Sequence, residues 1–259
     1  MANTPFQQFS PIIRSLTAAE LKGAPSLNAK LRIAEDGPIE VCYTPFEFIN
    51  PGARVVLVGI TPGRTQLLNA LRECRTQLDN GAGELQALIA AKQTGAFSGA
   101  MRPNLVALLD CVGIQHWLRI KSCDELFGSK SHLVQTTSVL RNAVFVNGEN
   151  YNGTPSMIRH PLLQQQLMDG FGEDAQALPD AIFIPLGDKV AEALFFLAER
   201  GYLSKDRILA GMPHPSPANA ERIKYFTGKK ERAALSIKTL PEKLDTARDE
   251  LIGRVAALA

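Results

Sequence analysis

The segment Ala53-Arg54-Val55-Val56-Leu57-Val58, closed by Gly59-Ile60-Thr61-Pro62-Gly63, constrains this chain more than any other. A run of apolar, mostly β-branched residues without alternation has no polar face to turn to water, so it predicts a strand buried on both sides. Glycine and proline directly behind it predict a tight loop at the strand's end. The same pattern recurs at 143–146, which runs into Asn147-Gly148, and at 181–186, followed by Gly187. A shorter version stands at 207–210, ahead of Gly211. Helical periodicity fills much of the remainder, at 67–78, 84–92, 104–111, 188–200 and 240–258. Strands separated by helices need crossover connections, which predicts an α/β fold with a mostly parallel sheet covered by helices on both faces. Ligands of such sheets gather at the carboxyl ends of the strands. The loops beginning near Gly59, Asn147 and Gly211 are therefore expected on one rim.

A length of 259 residues with 45% hydrophobic content suits a single domain over 1–259, with an N-terminal extension to about residue 50 and a C-terminal helix from about 240 to 259. The formal charge is only +2, so binding to nucleic acid would have to rest on local clustering. Between Arg200 and Lys238 nine basic residues face three acidic ones, although such a stretch is ordinarily a solvated face. Cys42, Cys74, Cys111 and Cys123 are widely spread, without the spacing of a zinc site or an iron–sulfur cluster, and read as reduced thiols. Residues 1–16 carry prolines and polar groups where a signal peptide needs an apolar core, and no run reaches membrane-spanning length. The expectation is a soluble cytoplasmic monomer without metal or organic cofactor.

Each rim loop offers its own chemistry. Gly59, Ile60, Thr61, Pro62 and Gly63 permit a turn whose backbone N–H groups form a concave donor site; an ordinary strand-to-helix turn is the plainer alternative. Asn147 presents a donor and an acceptor that match a pyrimidine edge, but Asn-Gly is also a common turn dipeptide. In Pro213-His214-Pro215-Ser216-Pro217 the prolines restrict the backbone around His214 and Ser216. A histidine so held can donate to developing negative charge, and Ser216 with neighbouring N–H groups can hold a phosphate.

Gly59-Ile60-Thr61-Pro62-Gly63 early, Asn147 behind a strand, and His214-Pro215-Ser216-Pro217 late, in that order, resemble the uracil-DNA glycosylase superfamily. The first loop is most similar to the Gly-x-Asn-Pro-Gly motif of its mismatch-specific and single-strand-selective branches. The resemblance spans about residues 55–226. It implies a three-layer α/β/α sandwich around a mostly parallel four-stranded sheet, DNA as partner, and hydrolysis of the N-glycosidic bond of uracil or a related damaged base flipped into a pocket. By the same resemblance Phe97 stacks on the base, Asn147 reads its edge, and His214 stabilises charge on the departing base. Pro215, Ser216, Pro217 and Asn219 hold the flanking phosphates, with Arg222, Lys224, Lys229 and Lys230 extending that grip. Thr61 stands where relatives carry Asp or Asn to orient the attacking water. A threonine hydroxyl holds a water but does not take its proton at neutral pH, which predicts weak activity. Two alternatives follow: a member that binds nucleic acid without hydrolysis, and an N-glycosidase of free nucleosides or nucleotides.

Overall fold

The structure is a computed structural model that describes residues 4–95 and 101–258. Phe97, the expected stacking residue, lies outside them. The chain is a mixed α/β protein that divides into two compact units, one of Met1–Ile49, Ile60–Ala96 and Thr136–Ala177, the other of Asn50–Gly59, Phe97–Gln135 and Leu178–Ala259. Its strands in chain order are β1 (Arg32–Asp36), β2 (Ile39–Cys42), β3 (Val55–Gly59), β4 (Val134–Ser138), β5 (Ala143–Val146), β6 (Glu149–Asn150) and β7 (Ile182–Pro185).

In the first unit β1, β2, β5 and β6 form an antiparallel sheet in that order. Its core is built with helices Pro5–Ser15, Arg64–Asp79 and Glu84–Gly95, whose apolar residues Ile13, Leu67, Leu71, Cys74, Leu78, Ala87 and Ala91 bury against Tyr43, Phe46 and Phe145. The first helix starts on a capping box: Thr4 Oγ1 accepts from Gln7 N, and Gln7 Oε1 accepts from Thr4 N, both at 3.2 Å. In Arg64–Asp79, Leu67, Leu71, Cys74 and Leu78 recur every three or four residues and give the helix its buried stripe. The two later helices meet Phe46 so closely that a Cβ at Gly95 would sit 2.8 Å from its Cζ and 3.1 Å from the Gln66 carbonyl oxygen, which admits only glycine. Among the described residues the first fifty thus supply the α-helices Pro5–Ser15 and Ser26–Leu31, the strands β1 and β2, and much of this core.

The second unit holds the buried strand expected from 53–58. β3 pairs in parallel with β7, Val55 opposite Ile182 and Val58 opposite Pro185. Ile208 continues the parallel pairing through a bridge to Phe183, with Leu209 N donating to the Phe183 carbonyl at 2.9 Å. On its other side β3 neighbours β4. One sequence expectation is corrected here: the run 143–146 is not a member of the parallel sheet but antiparallel β5, and the place beside β3 belongs to Val134-Gln135-Thr136-Thr137-Ser138. A short apolar run looks the same in any buried strand, and β4 is too polar to advertise its burial. The four-stranded sheet among the described residues is consequently the antiparallel one. The C-terminal helix expected from about 240 spans Pro241–Ala256. Among the described residues no helix is long and apolar enough to cross a membrane.

Candidate active site

Ile60, Thr61, Pro62, Gly63 and Asn147 belong to the first unit; Gly59 closes β3 in the second. Thr61 is 9% exposed, and its hydroxyl is used twice: it donates to the Asn142 carbonyl at 3.0 Å and accepts from Val144 N at 3.1 Å. These bonds latch the loop to the start of β5 and leave one lone pair for anything else. Of the expected concave donor site, the Gly63 N–H is engaged as well. Gly63 N donates to Gln66 Oε1 in the helix that follows, and Arg64 N, the first of that helix, to Asn150 Oδ1 of β6, each at 2.9 Å.

Asn147 takes the plainer of its two readings. With φ of 51° at Asn147 and 77° at Gly148, the pair forms the two-residue turn joining β5 to β6, where Val146 faces Glu149. Asn147 is exposed there, and it is Asn142 and Val144 that meet Thr61. The reason is local: asparagine and glycine tolerate the left-handed region that such a turn demands. Arg64, which sequence reasoning passed over, covers this hairpin. Its guanidinium lies 4.3 Å from the centre of the Phe145 ring and donates to the Gly148 carbonyl at 3.0 Å.

The His214 loop belongs to the second unit, where it follows the Ile208 bridge on the carboxyl side of the parallel strands. Met212, Pro213 and Pro215 are buried, and His214 is half-buried. Ser216 N donates to His214 Nδ1 at 3.2 Å, which makes Nδ1 the acceptor and puts the hydrogen of the neutral ring on Nε2. Burial favours that state by pushing the imidazole below its ordinary value. Asn219 Nδ2 lies 3.4 Å from Ser216 Oγ, and Pro217–Asn219 form a single 3₁₀ turn before helix Ala220–Phe226.

Two residues outside the motif shape this loop. Asn104, from helix Met101–Cys111, donates through Nδ2 to the Pro215 carbonyl at 3.0 Å. Gly187 follows β7 at φ 100° and ψ 162°, a conformation close to glycine-only, and a Cβ there would lie 3.5 Å from that of His214. The glycine behind a buried strand was the signal for Gly187; nothing local in the sequence marks Asn104.

His214 lines a cavity of about 280 Å³ together with Gly187, Asp188, Arg222, Lys238 and Lys243. Arg222 of the expected phosphate-binding set thus reaches it, and Asn219 does too. Lys224 is exposed on the same helix but does not line the cavity. Lys230 is paired with Glu221 at 2.7 Å and does not line the cavity. Glu221 also accepts from Ser236 N, Ser236 Oγ and Thr239 Oγ1, at 3.2, 2.6 and 2.6 Å. That clamp fixes the segment carrying Lys238.

Fold and cavity together describe an α/β protein with a neutral histidine in a cation-lined pocket at the carboxyl side of its parallel strands. The chain is 34% identical over 237 residues to a Bacillus subtilis (strain 168) protein described as the uncharacterized protein YoxB, and the match covers 90% of each. It belongs to the YoxB family. No family model matches the chain, and no solved structure matches it.

Proposed function

We propose that this protein is a monofunctional DNA glycosylase of the uracil-DNA glycosylase superfamily, hydrolysing the N-glycosidic bond of uracil or a related deaminated base. The observation that carries the reading is the hydrogen bond from Ser216 N to His214 Nδ1. A neutral ring accepting from Ser216 N at Nδ1 keeps an N–H at Nε2, the group needed to donate to a base oxygen as negative charge builds on it. The ring needs no proton from solvent to do so, and its burial strengthens the interaction. The three-layer architecture is part of the same proposal, with β4-β3-β7 and the Ile208 bridge as its central sheet. The chemistry invokes neither metal nor organic cofactor, and DNA is the partner.

Thr61 acts in this reading as a latch for its loop, and the attacking water is left without a basic side chain from that position. Slow turnover is the consequence. The same observation favours a second reading, in which the protein binds an altered base without hydrolysing it.

The test is incubation with single- and double-stranded oligonucleotides carrying one uracil, followed by alkali to cut at abasic sites. Strand cleavage with uracil and its loss in His214→Leu support the glycosylase. Absence of abasic product with uracil, hypoxanthine, xanthine and mismatched thymine alike overturns it; retained binding of uracil-containing DNA would then favour the second reading.

A further inference from the structure

The C-terminal segment, which the glycosylase motifs do not reach, completes the His214 cavity. Lys238 enters from the segment clamped by Glu221, and Lys243 from the first turns of helix Pro241–Ala256. Arg222 adds a third cation, and among the described residues its guanidinium makes a long 3.5 Å contact to Asn219 Oδ1. Asp188 is the single acid on the lining among the described residues, and it holds Lys243 at 2.6 Å. Three cations against one carboxylate leave the cavity two charges positive. On its floor Gly187 contributes no side chain, and helix Asp188–Ala198 begins there without a side-chain cap, adding the positive end of its dipole.

The geometry points to a phosphate-binding pocket built by Arg222, Lys238 and Lys243 beside His214, in which the ligand's phosphate takes Lys243 over from Asp188. The inference rests on the proposed nucleic-acid substrate and deepens it: the C-terminal segment takes one phosphate of a DNA strand, while the His214 loop faces the base. Cations that neutralise phosphate release counterions, so their contribution is read from the salt dependence of binding. Asp188 opposes the ligand, so its removal strengthens binding, a gain that damage to the fold would not produce.

The experiment measures binding of a fluorescent single-stranded oligonucleotide bearing one uracil, over a range of salt, with the full chain and three variants. Lys238→Ala/Lys243→Ala is expected to lower the slope of log affinity against log salt by about 0.7, the single-strand value for the one phosphate the pocket takes. Asp188→Asn is expected to tighten binding several-fold. Lys189→Ala, which removes an exposed cation outside the cavity, serves as control and leaves both quantities unchanged. Oligonucleotides with and without a 5′-phosphate separate the sources: a preference for the 5′-phosphate that the double lysine variant abolishes assigns a terminal phosphate, and no preference assigns an internal phosphodiester. If the unaltered chain binds the oligonucleotide but the lysine variant keeps its slope, or Asp188→Asn gives no gain, the pocket is overturned and the glycosylase reading stands. If the unaltered chain binds no nucleic acid, both fall.

Discussion

Asn104 Nδ2 donates a 3.0 Å hydrogen bond to the carbonyl of Pro215, so a helix 111 residues upstream holds the loop that presents His214. Proline on both sides narrows the loop's conformations but cannot select one of them; the amide from Asn104 does. Asn104→Leu removes the donor and leaves a part-buried carbonyl without its partner, at a cost of about 1 to 3 kcal/mol. As a positioning residue it is expected to lower the turnover of uracil excision more than the affinity for the oligonucleotide, with Asn104→Gln recovering part of the loss. Equal stability and turnover in Asn104→Leu and the unaltered chain would remove Asn104 from this role.

Thr61 gives a prediction about stability. In Thr61→Val the shape is retained, but the Asn142 carbonyl loses its donor and Val144 N its acceptor in a buried place. Destabilisation of about 2 kcal/mol is expected by chemical denaturation, whereas Thr61→Ser keeps both bonds and loses only a methyl group. If Thr61→Val matches Thr61→Ser in stability, the latch is not what holds this loop.

His214 makes stability depend on pH. Its folded-state pKa lies below the ordinary 6.5 because burial opposes the charge, so on acidification the unfolded chain takes up a proton before the folded one. The contribution is complete above about pH 6.5 and is lost as pH falls from there through the folded value. His214→Gln removes the titration. Its melting temperature is expected to drop less than that of the unaltered chain between about pH 7.5 and about pH 5. Parallel drops would contradict a buried neutral histidine.

Glu221 gathers Lys230, Ser236 and Thr239 on one carboxylate, and these donors, Lys230 foremost, hold it well below the usual carboxylate range. Glu221→Ala frees the segment that carries Lys229, Arg232 and Lys238, and limited trypsin digestion is expected to cut there several-fold faster. The contribution of this clamp to stability is complete above the ordinary 4.5 of a glutamate and is lost as pH falls from there through the folded value. Unchanged digestion by a protease in Glu221→Ala would show that other contacts hold the segment.

Much of the second unit is legible without coordinates. The apolar run at 55–58 and the one at 182–185 pair in parallel, Ile208 joins them, and glycine-rich loops follow each, because a strand with no polar face has to be interior. The loop of His214 is also legible, since proline constrains the backbone locally. Asn147 shows where this reading stops. A strand followed by Asn-Gly fits a ligand-reading loop and a hairpin turn equally well, and only the antiparallel partner β6 decides for the turn.

The sequence by itself determined that 55–58, 143–146 and 182–185 would be buried strands and which loop would hold a constrained histidine, because local sterics and hydrophobic patterning act between neighbours along the chain. The tertiary structure decided which strands pair, that β4 and not β5 stands beside β3, and that the Thr61 hydroxyl is spent on backbone. It also brought Asn104, Lys238 and Lys243 to the His214 loop. Hydrogen bonds and charge pairing between residues far apart in the chain have no periodicity to announce them; they exist only once packing has brought the partners within about 3 Å.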